Sequence, residues 1–504
     1  RPCLSPSLPS PAASPLATLL AAPLSFSAPR QRGSLAVCGA GFGKKPKGPT
    51  VDTSVHPLAD LVDYRPTLWL NRNRSTSSGA LMKMPVQYED LESAQELWGR
   101  MEPLIAHLFP EVPGGVVEGP MKRLYNIENG LSGLGITGMV LMKQDSELPI
   151  CGSVKARGGV FEVLEHAEKL ALAAGVLQPG DGRDKLATDA AARALFAEHK
   201  LLVASTGNLG LSVGIMGAAL GFNVEVHVSE DAKEWKKALL REKGVGVVEH
   251  KGPYSQAVTA GRKAAKSLGE KAHFVDDESS KSLFLGYSTA AFAILNQLNT
   301  LGAPLDEEHP LVVHFPCGVG GAPAGVAWGL RQVLGPHVHV LLAEPTHAPC
   351  ALLGMASGLG AGVAVTDVGI DGKTEADGLA VQRVSELAHE VLSVLAAGAY
   401  TVDDGDMLQV LAQLLDLELT FIEPSCAAAL MGPAALAARA LGAAPDTISK
   451  EEAEWGRELA GRLLRKGTHV FWATGGGLVP DDVRQEYADR GLAVLQQRQA
   501  AAAA

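Results

Sequence analysis

From residue 136 onward, short apolar runs alternate with longer segments whose apolar positions recur at helical spacing. "ITGMVLMKQD", residues 136 to 145, is mostly apolar and predicts a strand, and "VFEVLEHAEKLAL" after it predicts a helix. "KLLVAS" is a second short apolar strand, "TGNLGLSVGIMGAALG" a glycine-punctuated helix, and "NVEVHVS" alternates as a strand between two environments does. "DAKEWKKALLREKG" is an amphipathic helix ended by Gly244, and "VGVVEH" is the next strand. "AHFVDD" leads into the helix "KSLFLGYSTAAFAILNQL". "LVVHFP" leads into a glycine loop, the helix "AGVAWGLRQVLG" and the strand "VHVLLAEP"; "THVFWATGGG" comes near the end. This βα repeat predicts an α/β protein with open, mostly parallel sheets and helices on both faces. Sheets of this kind bind ligands beyond the carboxyl ends of their strands, where the glycine-rich stretches fall.

The chain has 504 residues, which is long for a single domain, and its 46% hydrophobic content supports a substantial core. A net charge of −11 gives nucleic-acid binding no electrostatic support. No run of about 18 apolar residues occurs, so no membrane span is expected. The alanine-rich stretch "PSCAAALMGPAALAARALGAA" is broken by Pro433 and Arg439 and fits core helix instead. The six cysteines form no CxxC pair and no zinc-type cluster, which fits reduced thiols. Residues 1–50 contain no Asp or Glu, are rich in Ser, Pro and Ala, and carry scattered basic residues. That composition predicts an organelle transit peptide, with chloroplast favoured over mitochondrion. An unprocessed tail on a cytoplasmic protein is the competing reading. The closing "QQRQAAAA" is expected to be a frayed end, making 491–504 a disordered tail.

Four sites with chemical potential follow strand ends: Lys155 in "GSVKARGG", "STGN" at 205–208, "CGVGGAPAG" at 317–325 and "ATGGG" at 473–477. Each alone has an ordinary structural explanation. A lysine at a helix start is usually solvated, and Ser205 or Thr206 can be a simple N-cap. Together they suit pyridoxal 5'-phosphate. That cofactor needs a lysine amine for a Schiff base, which Lys155 supplies. It needs backbone amides at a helix N-terminus for its phosphate, which Gly318, Val319, Gly320 and Gly321 supply. Asn208 suits the ring hydroxyl and Thr474 the ring nitrogen. Ser205 and Thr206 are placed to grip a substrate carboxylate. The glycines beside Lys155 are expected to free space for ring and substrate.

"GSVKARGG", "STGNLGLS", "PCGVGGAPAGVAWG", "AEPTHAPC" and "WATGGGLVP" resemble the D-serine ammonia-lyase (D-serine dehydratase) family of fold-type-II pyridoxal phosphate enzymes. The resemblance runs from about residue 56 to about residue 488 and keeps motif order and spacing; "DDESSKSLFLGYS" and "DGLAV" fit it too. Ala322 departs from it, standing where a further glycine is expected in the phosphate loop; a methyl is tolerable there if the backbone avoids positive φ. The resemblance implies a two-domain fold like that of the tryptophan synthase β subunit. The larger domain, 51–150 with 276–490, is expected to hold the phosphate loop and Thr474. The smaller, 151–275, is expected to hold Lys155 and Asn208, with the cofactor in the cleft. It also implies β-elimination of water from D-serine, and more slowly D-threonine, to a 2-oxo acid and ammonia. In the implied mechanism the substrate amine displaces Lys155, the freed Lys155 or a nearby group takes the Cα proton, and the β-hydroxyl leaves with proton help from the cofactor phosphate. The expected partner is a small D-amino acid, with no nucleic acid and no membrane, in a monomer or homodimer.

Weaker candidates remain. Asp276, with Asp277 and Glu278, follows a strand, so one of them is a candidate lining residue, Asp276 for substrate. Glu344 is a candidate ligand for a monovalent cation, potassium or sodium, with helix capping the competing role. Arg157 is a candidate for phosphate or carboxylate, a surface salt bridge being as good a reading, and Cys317 is taken as packing. Chirality does not follow from spacing, so L-serine or L-threonine dehydratase, racemase and β-replacement synthase stay open on the residues alone. "GVGGAP" with Glu344 mimics a dinucleotide fingerprint, but Pro323 replaces the third glycine, and a nicotinamide-dependent dehydrogenase leaves Lys155 and Thr474 unexplained.

Overall fold

The computed structural model describes residues 51–503, except 206, 231, 253, 445 and 446, so the leader segment 1–50 lies outside the described residues. The strands are β1 (Leu68–Leu70), β2 (Met121–Arg123), β3 (Val140–Lys143), β4 (Lys200–Ala204), β5 (Asn223–Ser229), β6 (Gly246–His250), β7 (Ala272–Val275), β8 (Leu311–Pro316), β9 (Val338–Pro345), β10 (Ala396–Val402) and β11 (Thr468–Trp472). The helices that bear on the site are α1 (Phe161–Ala173), α2 (Asn208–Leu220), α3 (Glu234–Glu242), α4 (Lys281–Ser288), α5 (Gly321–Leu334), α6 (Cys350–Ser357), α7 (Glu386–Leu395), α8 (Asp404–Glu418) and α9 (Asp481–Ala503).

Two sheets form. One has seven strands in the order β1-β10-β9-β8-β11-β3-β2, the other four in the order β6-β5-β4-β7. All pairs are parallel except the two edges of the larger sheet, where β1 and β2 run antiparallel. Every residue of β8, β9, β10 and β11 is buried. That is why "LVVHFP" and "VHVLLAEP" are near-continuous apolar runs: helices cover both faces of the larger sheet. The edge strand β6 has no buried residue, and it carries Glu249 and His250 at its end.

The strands missed by periodicity have physical reasons. β10 is "AAGAYTV", whose small residues carry no strand signal. A Cβ at Gly398 would strike the Trp69 carbonyl of β1, so the close approach of the edge strand requires glycine there. β1 and β2 are only three residues long. The alanine-rich stretch is core, as expected, in short helical segments (Pro424–Ala427, Ala428–Met431, Gly432–Ala440) that are buried throughout.

The chain end is a correction. It does not fray: α9 continues to Ala503. Arg498 anchors it to Asp406, and to Gln409 Oε1 at 2.7 Å, on α8, and alanine is the best helix former.

Candidate active site

Lys155 stands between the end of β3 and the start of α1. Ser153 bridges to Gly475, and the Val154 amide donates to the Thr474 carbonyl at 2.8 Å. The lysine segment is thereby stitched to the segment that leaves β11. Lys155 then caps a π-helical turn, Ala156–Val160, that runs into α1. Such turns are rare and concentrate at functional sites. The flanking glycines do not free space for a cofactor, contrary to expectation. A Cβ at Gly158 would strike the Tyr287 ring of α4, and one at Gly159 the Ser212 hydroxyl of α2. They let two helices close on the turn that presents Lys155.

Lys155 Nζ donates to both carboxylate oxygens of Asp277, at 3.1 and 3.2 Å, and lies 5.7 Å from the centre of the Tyr287 ring. Asp277 is therefore the member of the acidic trio that reaches the site. Asp276 does not: Arg262 holds both its oxygens at 2.8 Å and also takes Glu278 at 2.7 Å. Asp276, the residue expected at the substrate, is turned to Arg262 while its neighbour Asp277 meets Lys155, because adjacent side chains leaving a strand point in different directions.

Arg157 takes the competing salt-bridge role, inside the protein rather than at its surface. It is buried, and donates to Asp145 at 2.7 and 2.8 Å and to Glu118 at 3.0 Å. The fully buried Lys143 also donates to Glu118, and Trp472 Nε1 donates to Asp145 at 2.8 Å. Burial pushes the Glu118 carboxyl up, but Arg157 and Lys143 outweigh it and hold it at about 2. These paired charges tie the lysine turn to the segment that precedes β2, to β3 and to β11.

The glycine loop ends in Gly320, whose φ of +101° turns the chain into α5, and no side chain caps that helix. The first-turn amides are thus free for a ligand. Pro323 sits in the first turn, where a missing N–H costs nothing. Ala322 lies inside the helix and outside the positive-φ residues, so its methyl is accommodated. A Cβ at Gly321 would meet only the Asp277 carbonyl, at 3.5 Å, which places the loop beside the Lys155 partner.

Asn208 opens α2, and its amide donates to Glu423 Oε1 at 2.9 Å. Glu423 was not singled out by the sequence; it lies 215 residues further on with no motif of its own. Burial raises its carboxyl pKa. Ser205 is buried and its hydroxyl accepts from the Gly207 amide at 3.1 Å; Thr206 lies outside the described residues. Thr474 Oγ1 sits 3.1 Å from Cys426 Sγ, whose thiol is pushed well up by burial. Cys317 is buried with its thiol likewise pushed up, in keeping with packing.

Glu344 takes the competing role. Its two oxygens accept from the Ala351 and Leu352 amides at 2.8 Å each, at the start of α6, and burial pushes its carboxyl up to about 8. Among the described residues no group of three or more His, Cys, Asp and Glu side chains is placed to hold a metal, so the cation expectation gains no support.

An uncapped glycine N-terminus, a lysine amine and the side chains of Asn208 and Thr474 thus converge between the two sheets. The donor set fits pyridoxal phosphate. The family model "Pyridoxal-phosphate dependent enzyme" matches residues 119–448. A Bacillus cereus protein named probable D-serine dehydratase is 44% identical over 443 residues, covering 87% of this chain and 97% of that one. A Desulfitobacterium hafniense protein of the same name is 44% identical over 454 residues, covering 88% and 99%. The chain belongs to the D-serine dehydratase family of pyridoxal-phosphate-dependent enzymes. Among solved structures, Escherichia coli diaminopropionate ammonia lyase in complex with D-serine has a TM-score of 0.60 at 17% identity, covering 84% of this chain and 96% of that one. Tomato threonine deaminase isoform 2 (Solanum lycopersicum) has a TM-score of 0.57 at 17% identity, covering 90% and 99%. These two share the fold-type-II architecture. The D-serine dehydratase relatives also correct the expected localisation. They are bacterial proteins matched over nearly their full length, which argues against a chloroplast or mitochondrial assignment.

Proposed function

We propose that the chain eliminates water from D-serine to give pyruvate and ammonia, and from D-threonine to give 2-oxobutanoate and ammonia. The observation that carries this reading is the Lys155 amine, held 3.1 Å from Asp277 beside the uncapped N-terminus of α5. The D preference is supported by relatives named probable D-serine dehydratase at 44% identity over nearly their full length.

Each residue has a role set by its chemistry. Lys155 is the attachment point for the cofactor and the base for the Cα proton. Asp277 orients the Lys155 amine. The amides of Gly318, Val319, Gly320 and Gly321 hold the phosphate. Asn208 serves the ring hydroxyl, with Glu423 fixing its amide. Ser205 and Thr206 hold the substrate carboxylate. When bound, pyridoxal phosphate supplies the electron sink that acidifies the Cα proton. Thr474 faces the ring nitrogen with a neutral hydroxyl, which favours elimination over transamination because it cannot keep that nitrogen protonated as a carboxylate would. In this reading the unit around β4–β7 works as the smaller domain and the unit around the larger sheet as the phosphate-binding domain, in a monomer or homodimer.

The test is an assay of cofactor-loaded protein with D- and L-serine, D-threonine and 2-oxo acid detection. The expected result is 2-oxo acid from the D substrates. Turnover of L-serine with none of D-serine would replace this reading with an L-serine dehydratase.

A further inference from the structure

Lys236, on α3 of the four-stranded unit, is only 4% exposed, an unusual place for an ammonium. It donates to Asp377 Oδ2 at 3.0 Å, and Asp377 belongs to the "DGLAV" loop of the other unit. That loop touches the cofactor cradle: a Cβ at Gly318 would stand 2.9 Å from the Gly378 carbonyl. On its other side Lys236 Nζ lies 3.2 Å from where a Cβ of Gly207 would stand, between Ser205 and Asn208. Asn208 makes a second bridge across the same cleft, to Glu423. Burial works against the Lys236 ammonium, but Asp377 and Glu423 outweigh it and raise its pKa.

We infer that Lys236 is a positioning residue that latches the four-stranded unit onto the Asp377 loop and screens Asp377 and Glu423 from a substrate carboxylate held at Ser205–Asn208. This deepens the proposed function and rests on it for the substrate. The physical argument has two parts. Opening the cleft returns both charged groups to water, so the pair forms only when the units close. In the closed state, removing the ammonium leaves the Asp377 and Glu423 carboxyls facing an incoming carboxylate, with Lys233 near Asp377 but without the cation that lies between them and Ser205–Asn208. Loss of Lys236 therefore weakens substrate binding more than it slows the chemistry, which belongs to Lys155.

The experiment compares Lys236→Met, the isosteric Asp377→Asn, their double variant and the charge-preserving Lys236→Arg, all cofactor-loaded. Lys236→Met is expected to raise KM for D-serine on the order of tenfold with a much smaller change in kcat, and Asp377→Asn, which breaks the latch but also removes one of the screened carboxylates, to raise it by less. The double variant is expected to be no worse than the poorer single, and Lys236→Arg to recover most of the parental KM. A second readout needs neither substrate nor cofactor: hydrogen exchange of residues 207–220 and 376–381 in the unloaded chain, expected to speed up in both single variants. If the parent gives no 2-oxo acid from D-serine, the proposed function fails while hydrogen exchange still reads the latch. Parental exchange and KM in both single variants, or KM penalties that multiply in the double variant, would overturn the latch.

Discussion

In the proposed reaction Lys155 combines two tasks in one side chain, and its setting makes them separable from folding. Its side chain is 23% exposed and its polar partner is a carboxylate at the cleft, so Lys155→Ala removes little core. Stability is expected to stay within about 1 kcal/mol of the parent. Elimination from D-serine is expected to fall by about a thousandfold or more, since anchor and base go together. Borohydride labelling of the parent followed by peptide mapping is expected to mark Lys155; a label on another lysine rejects the assignment. Thr474→Asp is expected to slow elimination and to increase cofactor loss by transamination, followed as 2-oxo acid against the fading visible band. Unchanged elimination removes Thr474 from the ring nitrogen. Asn208, the glycine loop and Thr474 were legible because each follows closely on a strand, and Lys155 because it stands among glycines at the entry to a helix. Asp277, Glu423 and Lys236 were not. Choosing Asp277 over Asp276 depends on Arg262 capturing Asp276, and the partners of Lys236 and Asn208 lie 141 and 215 residues away.

Among the elements, the glycine cradle yields a test in which protein strain and ligand blockade separate. Gly320 has φ +101°, and a Cβ there would come within 2.7 Å of Ala388 on α7, so Gly320→Val disturbs the fold as well as the site. Gly321 has room, its nearest neighbour being the Asp277 carbonyl at 3.5 Å. Gly321→Val is therefore expected to keep a melting temperature near the parent's while losing cofactor on dialysis, and Gly320→Val to lose both. Retention of cofactor by dialysed Gly321→Val would place the phosphate elsewhere. The βα alternation from residue 136 was legible because β8 and β9 are buried on both faces and so keep unbroken apolar runs. β10 escaped the same logic because its alanines and glycine answer to the edge strand packed against them. The helical chain end escaped because Arg498 finds its partners on a helix some 90 residues away, which no local pattern reveals.

The molecule as a whole carries buried histidines whose charging opposes folding. His314 on β8, His339 on β9 and His469 on β11 lie inside the larger sheet, with His314 Nε2 and His469 Nδ1 3.0 Å apart. Burial depresses all three, His469 to about 4 and the other two well below the ordinary value. His166 on α1, stacked on His273 with ring centres 4.1 Å apart, is depressed by burial to about 3. In the unfolded chain each titrates near 6.5. Between that value and the folded one, the unfolded state binds protons that the native state refuses. The stabilisation is complete above about pH 6.5 and is lost as pH falls toward about 3 to 4, by on the order of 1.4 kcal/mol per pH unit for each histidine. Urea unfolding is therefore expected to show a midpoint that is nearly level from pH 7.5 to about pH 6.5 and falls from there to pH 5. His166→Phe keeps the stacked ring but cannot take a proton. It is expected to flatten that dependence by one histidine's share while leaving the pH 7.5 midpoint close to the parent's. A midpoint that holds constant from pH 7.5 to pH 5 would show that these rings do not enter the unfolding equilibrium.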